Sequence, residues 1–241
     1  MIGVKYFGVS DAGRIRSNNE DAFLVNPELG FAALADGMGG AAAGELASKF
    51  FIDAAQEVFS RAIPENFNNA ESLLRASFEL ANDKILRHID QNPADRGMGC
   101  TAELLTFFGE NFAIAHVGDS RTYLFRDGEI KLLTQDHSFV QELIKKGELN
   151  ADEVHQHPMR HVILRAVGQE EKLEVEIIKG HIVHGDLFLL CSDGLTDMVG
   201  DHIIRDILSL RSGLDHRAQK LIDTANDTRG QDNVTVVLCE V

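Results

Sequence analysis

The sequence lacks the features that mark exported, membrane-spanning or multi-domain proteins. No run of 18 consecutive apolar residues occurs, and no basic segment followed by an apolar one opens the chain, so we expect neither a membrane span nor export. No Pro-rich or Ser-rich linker divides the 241 residues, which predicts one domain, residues 1–241. The three cysteines (Cys100, Cys191 and Cys239) lie in apolar contexts without CxxC spacing, which predicts reduced core residues in a cytoplasmic protein.

Positive charge is also scarce. Lys and Arg number 23 against 38 Asp and Glu, for a formal net charge of −15, and no basic stripe offsets it. Nucleic-acid binding is therefore disfavoured, because the phosphates would be repelled. The chain has no Walker GxxxxGK[ST], no GxGxxG after a strand and no HExxH, so nucleotide and zincin chemistry receive no support.

The apolar pattern predicts strands in runs and helices in pairs. Residues 22–36 form two apolar runs around an Asn-Pro-Glu-Leu-Gly turn, typical of a hairpin. Helical spacing begins at Gly44 and again near Ala70, and a hairpin meander is expected over residues 100–134. Further on we expect a short helix at 138–149, strands at 173–182, 186–194 and 233–241, and helices near 201–210 and 216–228. This order favours an α+β fold of two stacked antiparallel β-sheets flanked by pairs of helices.

Four aspartates stand at predicted strand ends. Asp36, Asp119 and Asp193 follow apolar runs beside a glycine, and Asp232 immediately precedes one. Each alone is explained by a turn, since Asp and Gly form turns readily. Together, however, neighbouring strand ends would crowd these carboxylates, and each would be driven to protonate unless a cation is present. Oxygen ligands of this kind select Mg²⁺, Mn²⁺ or Ca²⁺ rather than Zn²⁺.

An arginine precedes a further acidic pair, Glu20 and Asp21, at the mouth of the first hairpin. The guanidinium of Arg16 offers paired donors that suit phosphate, and Asp21 could hold a water bound to a metal. A capped surface turn is the alternative interpretation. Gly37, without a side chain, could bring its carbonyl oxygen close to a metal. These features, without a nucleophilic Ser or Cys constellation, favour hydrolysis of a phosphate ester by activated water.

The ordered set of motifs resembles the metal-dependent serine/threonine protein phosphatases, also called type 2C protein phosphatases, and especially their bacterial members. The similarity runs nearly end to end, through "SDAGRIRSNNEDAF", "ADGMGG", "GELAS", "MGCTA", "AHVGDSRTYLFRDGEI", "LTQDHSFVQELI", "HPMRHVILRAVG", "LCSDGLTDMV" and "GQDNVTVVL". The resemblance implies two antiparallel sheets with metals at one edge of the sandwich.

The resemblance also implies a role for each candidate residue. Asp36 would bridge two Mn²⁺ or Mg²⁺ ions, Gly37 would add its carbonyl, and Asp193 and Asp232 would complete one ion. Glu20 and Asp21 would hold waters bound to the metals, and Arg16 would bind phosphate. Asp119, with Asp193, would hold a third, weaker ion. Residues 138–165 would form a flap that borders the site.

One departure concerns the proton donor to the leaving group. The family often has a histidine where this chain has Met38 or Ala41. His116 and His137 are candidates to replace it, although hydrogen-bonded structural histidines are the favoured interpretation of both. His155, His157 and His161 lie in a polar loop without a sulfur ligand, so zinc there is disfavoured.

The leading hypothesis is thus a manganese- or magnesium-dependent phosphatase for phosphoserine and phosphothreonine in proteins, opposing a protein kinase and acting as a monomer. A second hypothesis is a phosphoprotein-binding regulator that kept the metals but lost turnover. A third, a metal nuclease, is disfavoured by the charge of −15.

The missing histidine leads to a prediction about substrate preference. Aryl phosphates, whose leaving groups need little protonation, should be cleaved well relative to phosphoserine peptides, and Ala41→His should narrow the gap in kcat. Loss of a general acid lowers rates by roughly 10² to 10⁴. If Ala41→His leaves the ratio of aryl to peptide kcat unchanged, position 41 has no such role.

Overall fold

The chain folds into two stacked β-sheets with helices on both outer faces. A computed structural model describes residues 3–40, 43–150, 153–154 and 157–241. The strands are β1 (Lys5–Asp11), β2 (Asp21–Asn26), β3 (Phe31–Met38), β4 (Gly99–Phe108), β5 (Asn111–Val117), β6 (Arg121–Arg126), β7 (Glu129–Leu132), β8 (Glu176–His181), β9 (Leu187–Cys191) and β10 (Val234–Glu240). The helices are α1 (Ala43–Phe59), α2 (Phe67–Gln91), α3 (Phe139–Lys145), α4 (Asp193–Thr196), α5 (Asp201–Leu208) and α6 (Leu214–Thr228), with a 3₁₀ turn at Pro93–Asp95.

Each sheet has five strands and is antiparallel throughout. Sheet I has the order β1-β10-β9-β6-β7, and sheet II has the order β2-β3-β4-β5-β8. The predicted first hairpin is confirmed, since β2 pairs with β3 and Asn26 lies opposite Phe31. The α+β sandwich expected from the order of elements is the fold observed.

Three apolar layers hold the elements together. Phe51 of α1 and Phe78 of α2 pack on sheet II, Phe188 lies between the sheets, and Leu221 of α6 packs against sheet I. Sheet II is covered on both faces, so all ten residues of β4 are buried and the strand shows no polar alternation. The helix pairs therefore shield the centre of each sheet from solvent.

Helix α2 begins a little earlier than the apolar spacing indicates. The side-chain oxygen of Asn66 accepts hydrogen bonds from the main-chain N–H groups of Asn68 and Asn69, at 3.0 and 3.1 Å. This N-cap satisfies donors that the first turn leaves free. The helix therefore starts at Phe67, ahead of the first inward-facing residue, Ala70.

The expected meander over residues 100–134 is wrong at one point. β4–β5 and β6–β7 are hairpins, but β5 and β6 belong to different sheets. At the junction Gly118 has φ +113°, and a Cβ there would lie 2.4 Å from Cβ of Thr101. The left-handed turn that only glycine fits carries the chain from sheet II to sheet I rather than back along β5.

Strand β1 was not expected from the sequence. It pairs with β10 along its whole length, from Lys5 opposite Glu240 to Asp11 opposite Val234. Phe7 and Val9 face the helices of sheet I, while Tyr6 packs between the sheets. Apolar residues on both faces conceal the alternation that normally reveals a strand.

The two ends of the predicted flap, residues 138–165, lie side by side. The N–H of Phe139 donates to the carbonyl of Val162 at 2.8 Å, and Ser138 forms a bridge with Ile163. Helix α3 follows, capped by the Ser138 hydroxyl, which accepts from the N–H of Gln141 at 3.4 Å. Across the described ranges, no helix combines the length and the hydropathy needed to cross a bilayer.

Candidate metal centre

The first pair of carboxylates comes from the first hairpin. Asp21 opens β2 and lies directly opposite Asp36 of β3. On its other side Asp36 lies opposite Thr101 of β4. Residues paired in this way have Cα atoms only about 4.5–5.5 Å apart. The register of sheet II thus fixes two acidic side chains beside each other.

Sheet I brings further carboxylates to the same edge. Asp193 follows β9 and Asp232 precedes β10, which are neighbouring strands. A Cβ on Gly194 would lie 2.0 Å from the carbonyl oxygen of Asn233, so these two segments are in direct contact. Asp119 stands at the crossing between the sheets. The fold therefore collects acidic residues where the two sheets meet.

A cavity of about 260 Å³ opens at this edge. Six of the predicted site residues line it: Arg16, Glu20, Asp36, Gly37, Asp193 and Asp232. The other two, Asp21 and Asp119, do not line the cavity but interact electrostatically with Asp36. The six acidic candidates, with Arg16 and Gly37, are thus part of one connected site.

Burial and mutual repulsion raise the pKa of these aspartates. Desolvation, the largest cause, raises the pKa of Asp21 to about 6 and that of Asp119 to about 7. It also raises the pKa of Asp36 and Asp193 well above the ordinary value, and neighbouring carboxylates in each case add to the shift. Without a counter-charge, ionising this cluster at neutral pH is unfavourable.

Two unpaired carboxylate oxygens are evidence that a bound cation supplies the missing positive charge. Asp21 Oδ1 and Asp119 Oδ1 are buried, and neither has a hydrogen-bond partner among the described residues. Buried polar atoms are normally satisfied. Oxygen donors clustered in this way fit hard divalent ions such as Mn²⁺ and Mg²⁺. The chemistry of the residues present therefore matches the predicted metals.

Hydroxyl groups that the sequence reasoning missed orient Asp21. Ser192 Oγ and Thr235 Oγ1 both donate to Asp21 Oδ2, at 2.9 and 2.6 Å. Ser10 and Asn19 continue the network, since Ser10 Oγ lies 2.7 Å from Thr235 Oγ1 and accepts from the Asn19 amide at 2.7 Å. One oxygen of Asp21 is held and the other is left free. The available signal was adjacency, because Ser192 immediately precedes Asp193.

Asn233 is a second missed residue. Its Oδ1 accepts from the N–H of Glu20 at 2.8 Å, and its amide donates to the carbonyls of Ala12 and Asn18 at 3.0 and 2.9 Å. The start of β10 thereby fixes the loop that precedes β2. Asn233, which also lines the cavity, thereby fixes the position of Glu20.

Gly37 is required by the close approach of two other chain segments. A Cβ there would lie 2.1 Å from the carbonyl oxygen of Gly44 and 2.6 Å from that of Glu20. A Cβ on Gly44 would in turn lie 1.9 Å from Oε2 of Glu20. Glycine at both positions lets the Glu20 carboxylate lie against the start of α1. The role of the Gly37 carbonyl as a ligand stays a prediction.

Arg16 lies at the mouth of the cavity. Its Nη2 donates to Asp232 Oδ2 at 2.7 Å, and half of the side chain is exposed. A guanidinium tethered at one edge still has donors that face solvent. Its position suits an anion that enters from outside.

The two histidines considered as proton donors, His116 and His137, form hydrogen bonds away from the cavity. His116 Nδ1 is hydrogen-bonded to Glu103, and its Nε2 donates to the carbonyl of Gln135 at 3.0 Å. Burial, with the His116 ring nearby, lowers the pKa of His137 to about 3. Neither His116 nor His137 lines the cavity. Both form hydrogen bonds within the fold, in agreement with the structural roles favoured from the sequence. Met38 does line the cavity, while Ala41 lies outside the described residues.

The polar loop considered for zinc separates its histidines. His155 lies outside the described residues. His157 Nδ1 accepts from the N–H of Met159 at 3.2 Å, and His161 Nδ1 lies 3.3 Å from Asp197 Oδ2. His161 also comes close to Asp193. The described histidines of this loop thus have different neighbours.

Comparison with known proteins identifies the family. The model of the protein phosphatase 2C family matches residues 7–143. The serine/threonine protein phosphatase PstP of Mycobacterium tuberculosis is 39% identical over 238 residues, which cover 99% of this chain and 45% of that protein. The chain belongs to the protein phosphatase 2C family. It spans about half the length of PstP, but 93% of the serine/threonine phosphatase stp of Listeria welshimeri, which is 37% identical and matches 96% of this chain.

A solved relative carries the predicted metals. The catalytic domain of PstP in complex with two manganese ions superposes with a TM-score of 0.89 at 36% identity, over 98% of this chain and 97% of that one. Two ions of the kind expected here are therefore bound in a protein of the same fold and family.

The raised pKa values predict how the free energy of unfolding depends on pH when a chelator removes the metal ions. Asp21 and Asp119 have folded pKa values of about 6 and about 7, above roughly 3.9 in the unfolded chain. The folded state therefore binds more protons between about pH 4 and 7, so this contribution is fully present below pH 4 and lost as pH rises to 7. In EDTA, urea titrations should show a free energy of unfolding that falls across this range.

Asp36→Asn provides the control, because it removes one of the repelling charges. Its free energy of unfolding should fall less steeply with pH than that of the parent chain, and saturating Mn²⁺ should stabilise the parent but much less the variant. Parallel pH profiles for the two proteins in EDTA would contradict the assignment of the pKa shifts.

Proposed function

We propose that this chain is a metal-dependent protein serine/threonine phosphatase that hydrolyses phosphoserine and phosphothreonine at a dinuclear Mn²⁺ or Mg²⁺ centre. The observation that carries the proposal is the convergence of Asp36, Asp193 and Asp232 with Arg16 around one cavity. Family membership and the two manganese ions in the PstP structure support it.

The carboxylates divide into those that face the cavity and those behind it. Asp36 would be shared between two ions, Gly37 would contribute its carbonyl, and Asp193 and Asp232 would complete one ion. Glu20 lines the cavity as well, in a position to fix water. Asp119, with Asp193, would hold a third and weaker ion. When bound, the divalent ions activate a water molecule and neutralise charge on the phosphoryl oxygens.

Two residues would act directly on the reacting groups. Arg16 would bind the phosphoryl oxygens through its solvent-facing N–H groups and orient the ester. Asp21 would accept a hydrogen bond from the attacking water at Oδ1, because Ser192 and Thr235 already occupy Oδ2.

The whole sequence, residues 1–241, would act as one catalytic domain, with residues 138–165 as a flap. Ile163, in the returning segment of the flap, lines the catalytic cavity. It also lines a neighbouring groove of about 570 Å³, as does Met38. A polypeptide on either side of the phosphorylated residue could occupy that groove. The flap would thus distinguish protein substrates from small phosphate esters.

The cellular setting belongs to the same proposal. Substrates would be phosphoproteins made by a serine/threonine kinase, and the chain would act as a monomer without nucleic acid or membrane partners. Cys100, Cys191 and Cys239 are all buried and unpaired, which supports a reducing compartment such as the cytoplasm.

Removing a cavity carboxylate tests the activity. Asp36→Asn and Asp193→Asn should each lower Mn²⁺-dependent hydrolysis of p-nitrophenyl phosphate about a thousandfold, since each should weaken the electrostatic stabilisation that the ions provide. Asp53→Asn, on the exposed face of α1, makes the same chemical change elsewhere and should retain full activity. If the parent chain binds a phosphoprotein tightly but turns over no substrate with any metal, the regulator hypothesis replaces this one.

Arg16→Lys tests phosphate binding separately. The lysine keeps the charge but loses the paired donors, so KM for a phosphothreonine peptide should rise about tenfold while kcat changes less. Arg14→Lys is the matched control, because Arg14 is an exposed arginine of the same loop that does not line the cavity. Equal changes in KM for the two variants would remove Arg16 from the phosphate site.

A further inference from the structure

His137 holds both main-chain polar groups of Gly118. The His137 N–H donates to the Gly118 carbonyl at 2.7 Å, and the Gly118 N–H donates to Nδ1 of the His137 ring at 3.1 Å. Because the donor in the second contact is a main-chain N–H, Nδ1 must be the unprotonated ring nitrogen. His137 thus forms hydrogen bonds with both the carbonyl and the N–H group of Gly118.

Gly118 leads directly into Asp119, a predicted ligand of the weaker ion. Its left-handed turn is packed against Thr101, and on the other side of Asp119 the Ser120 hydroxyl lies 2.6 Å from the Thr101 hydroxyl. The main chain around Asp119 is thereby held from both flanks. One oxygen of its carboxylate is not, because the buried Oδ1 has no hydrogen-bond partner among the described residues. A rigid turn that presents a free oxygen is how a ligand is pre-organised.

His137 is itself immobilised. The preceding residue, Asp136, forms a two-point ion pair with Arg121, with N–O distances of 2.9 and 2.7 Å. The His137 carbonyl accepts from the N–H of Leu164 at 2.7 Å, where the flap returns. The residue that holds Gly118 is therefore anchored to sheet I and to the base of the flap.

The surroundings of His137 have the composition of a metal site, but the nitrogens are already used. His116, His137 and Glu176 could each offer a ligand atom within 4.8 Å of one another. Both ring nitrogens of His116 are engaged by Glu103 and Gln135, and Nδ1 of His137 is engaged by Gly118. Nε2 of His137 lies 3.3 Å from Glu176 Oε2, so it has a partner as well. The cluster acts on Gly118 rather than on an ion of its own.

We propose that His137 is a positioning residue that fixes the Gly118 turn and so holds the Asp119 carboxylate ready to bind a divalent cation. The proposal rests on the proposed function in one respect, the assignment of Asp119 as a ligand of the weaker ion. His137 contacts neither substrate nor cation, and acts only through the main chain of Gly118.

Manganese binding by the chain of residues 1–241 tests the proposal without reference to turnover. In calorimetric titrations, His137→Ala should weaken the lowest-affinity Mn²⁺ step about tenfold, because the buried Gly118 N–H loses its acceptor, and should leave the tighter steps unchanged. His137→Asn keeps an acceptor near the position of Nδ1 and should restore most of the affinity. Glu176→Gln changes the other side of the same ring and should bind Mn²⁺ like the parent.

A double-mutant cycle shows whether the effect passes through Asp119. In the Asp119→Asn background, His137→Ala should produce no further loss of Mn²⁺ affinity. Hydrogen exchange of the Gly118 amide should be faster in His137→Ala and slow again in His137→Asn. The proposal is overturned if His137→Ala binds Mn²⁺ like the parent, if Glu176→Gln weakens binding equally, or if the loss persists without Asp119.

Steady-state kinetics separate this proposal from the proposed function. His137→Ala should need about tenfold more Mn²⁺ for half-maximal hydrolysis of p-nitrophenyl phosphate and should approach parental kcat at saturation. A parent chain inactive with every metal refutes the proposed function but leaves the binding titrations able to decide the role of His137.

Discussion

Repulsion among carboxylates at one edge of the sandwich is the constraint on which the site depends. Asp21, Asp36, Asp119 and Asp193 come from separate parts of the chain, yet the charges of Asp21, Asp119 and Asp193 all raise the pKa of Asp36. Such crowding is unfavourable unless a cation compensates it. The packed layers of the two sheets must therefore hold these groups together against their own charge, and a bound divalent ion converts the same arrangement into a stabilising one.

The fold resists this repulsion with neutral groups rather than with opposite charges. Ser192 and Thr235 hold Asp21, Asn233 holds Glu20 and its loop, and Thr101 holds the turn that bears Asp119. Neutral donors orient a carboxylate without neutralising it, so its charge remains available to a metal. Two arginines are exceptions. The charge of Arg121 lowers the pKa of Asp119, and Arg16 pairs with Asp232 at the exposed mouth of the cavity.

The sequence predicted the centre of the site better than its supports. Aspartates beside glycine at strand ends were visible because apolar runs stop there, and the order of strands and helices indicated the sandwich. The supports were hidden for a physical reason: Ser192, Thr235 and Asn233 act through contacts between residues more than 40 positions apart along the chain. Strand β1 was missed because both its faces carry apolar residues. The crossing from β5 to β6 was missed because a Gly-Asp-Ser sequence is equally compatible with a hairpin turn and with a change of sheet.

That crossing also explains how a sandwich of two sheets forms one centre. A continuous meander would keep Asp119 within sheet II, as an ordinary turn residue at its edge. Because Gly118 redirects the chain, Asp119 lies at the junction of the sheets, where its charge raises the pKa of Asp36 from one sheet and of Asp193 from the other. A non-glycine residue at position 118 would clash with Thr101, which is itself paired with Asp36. Thr101 therefore packs against the turn of the crossing and also lies beside the central carboxylate, so the geometry of the candidate metal centre and the connectivity of the fold are coupled through the same side chain.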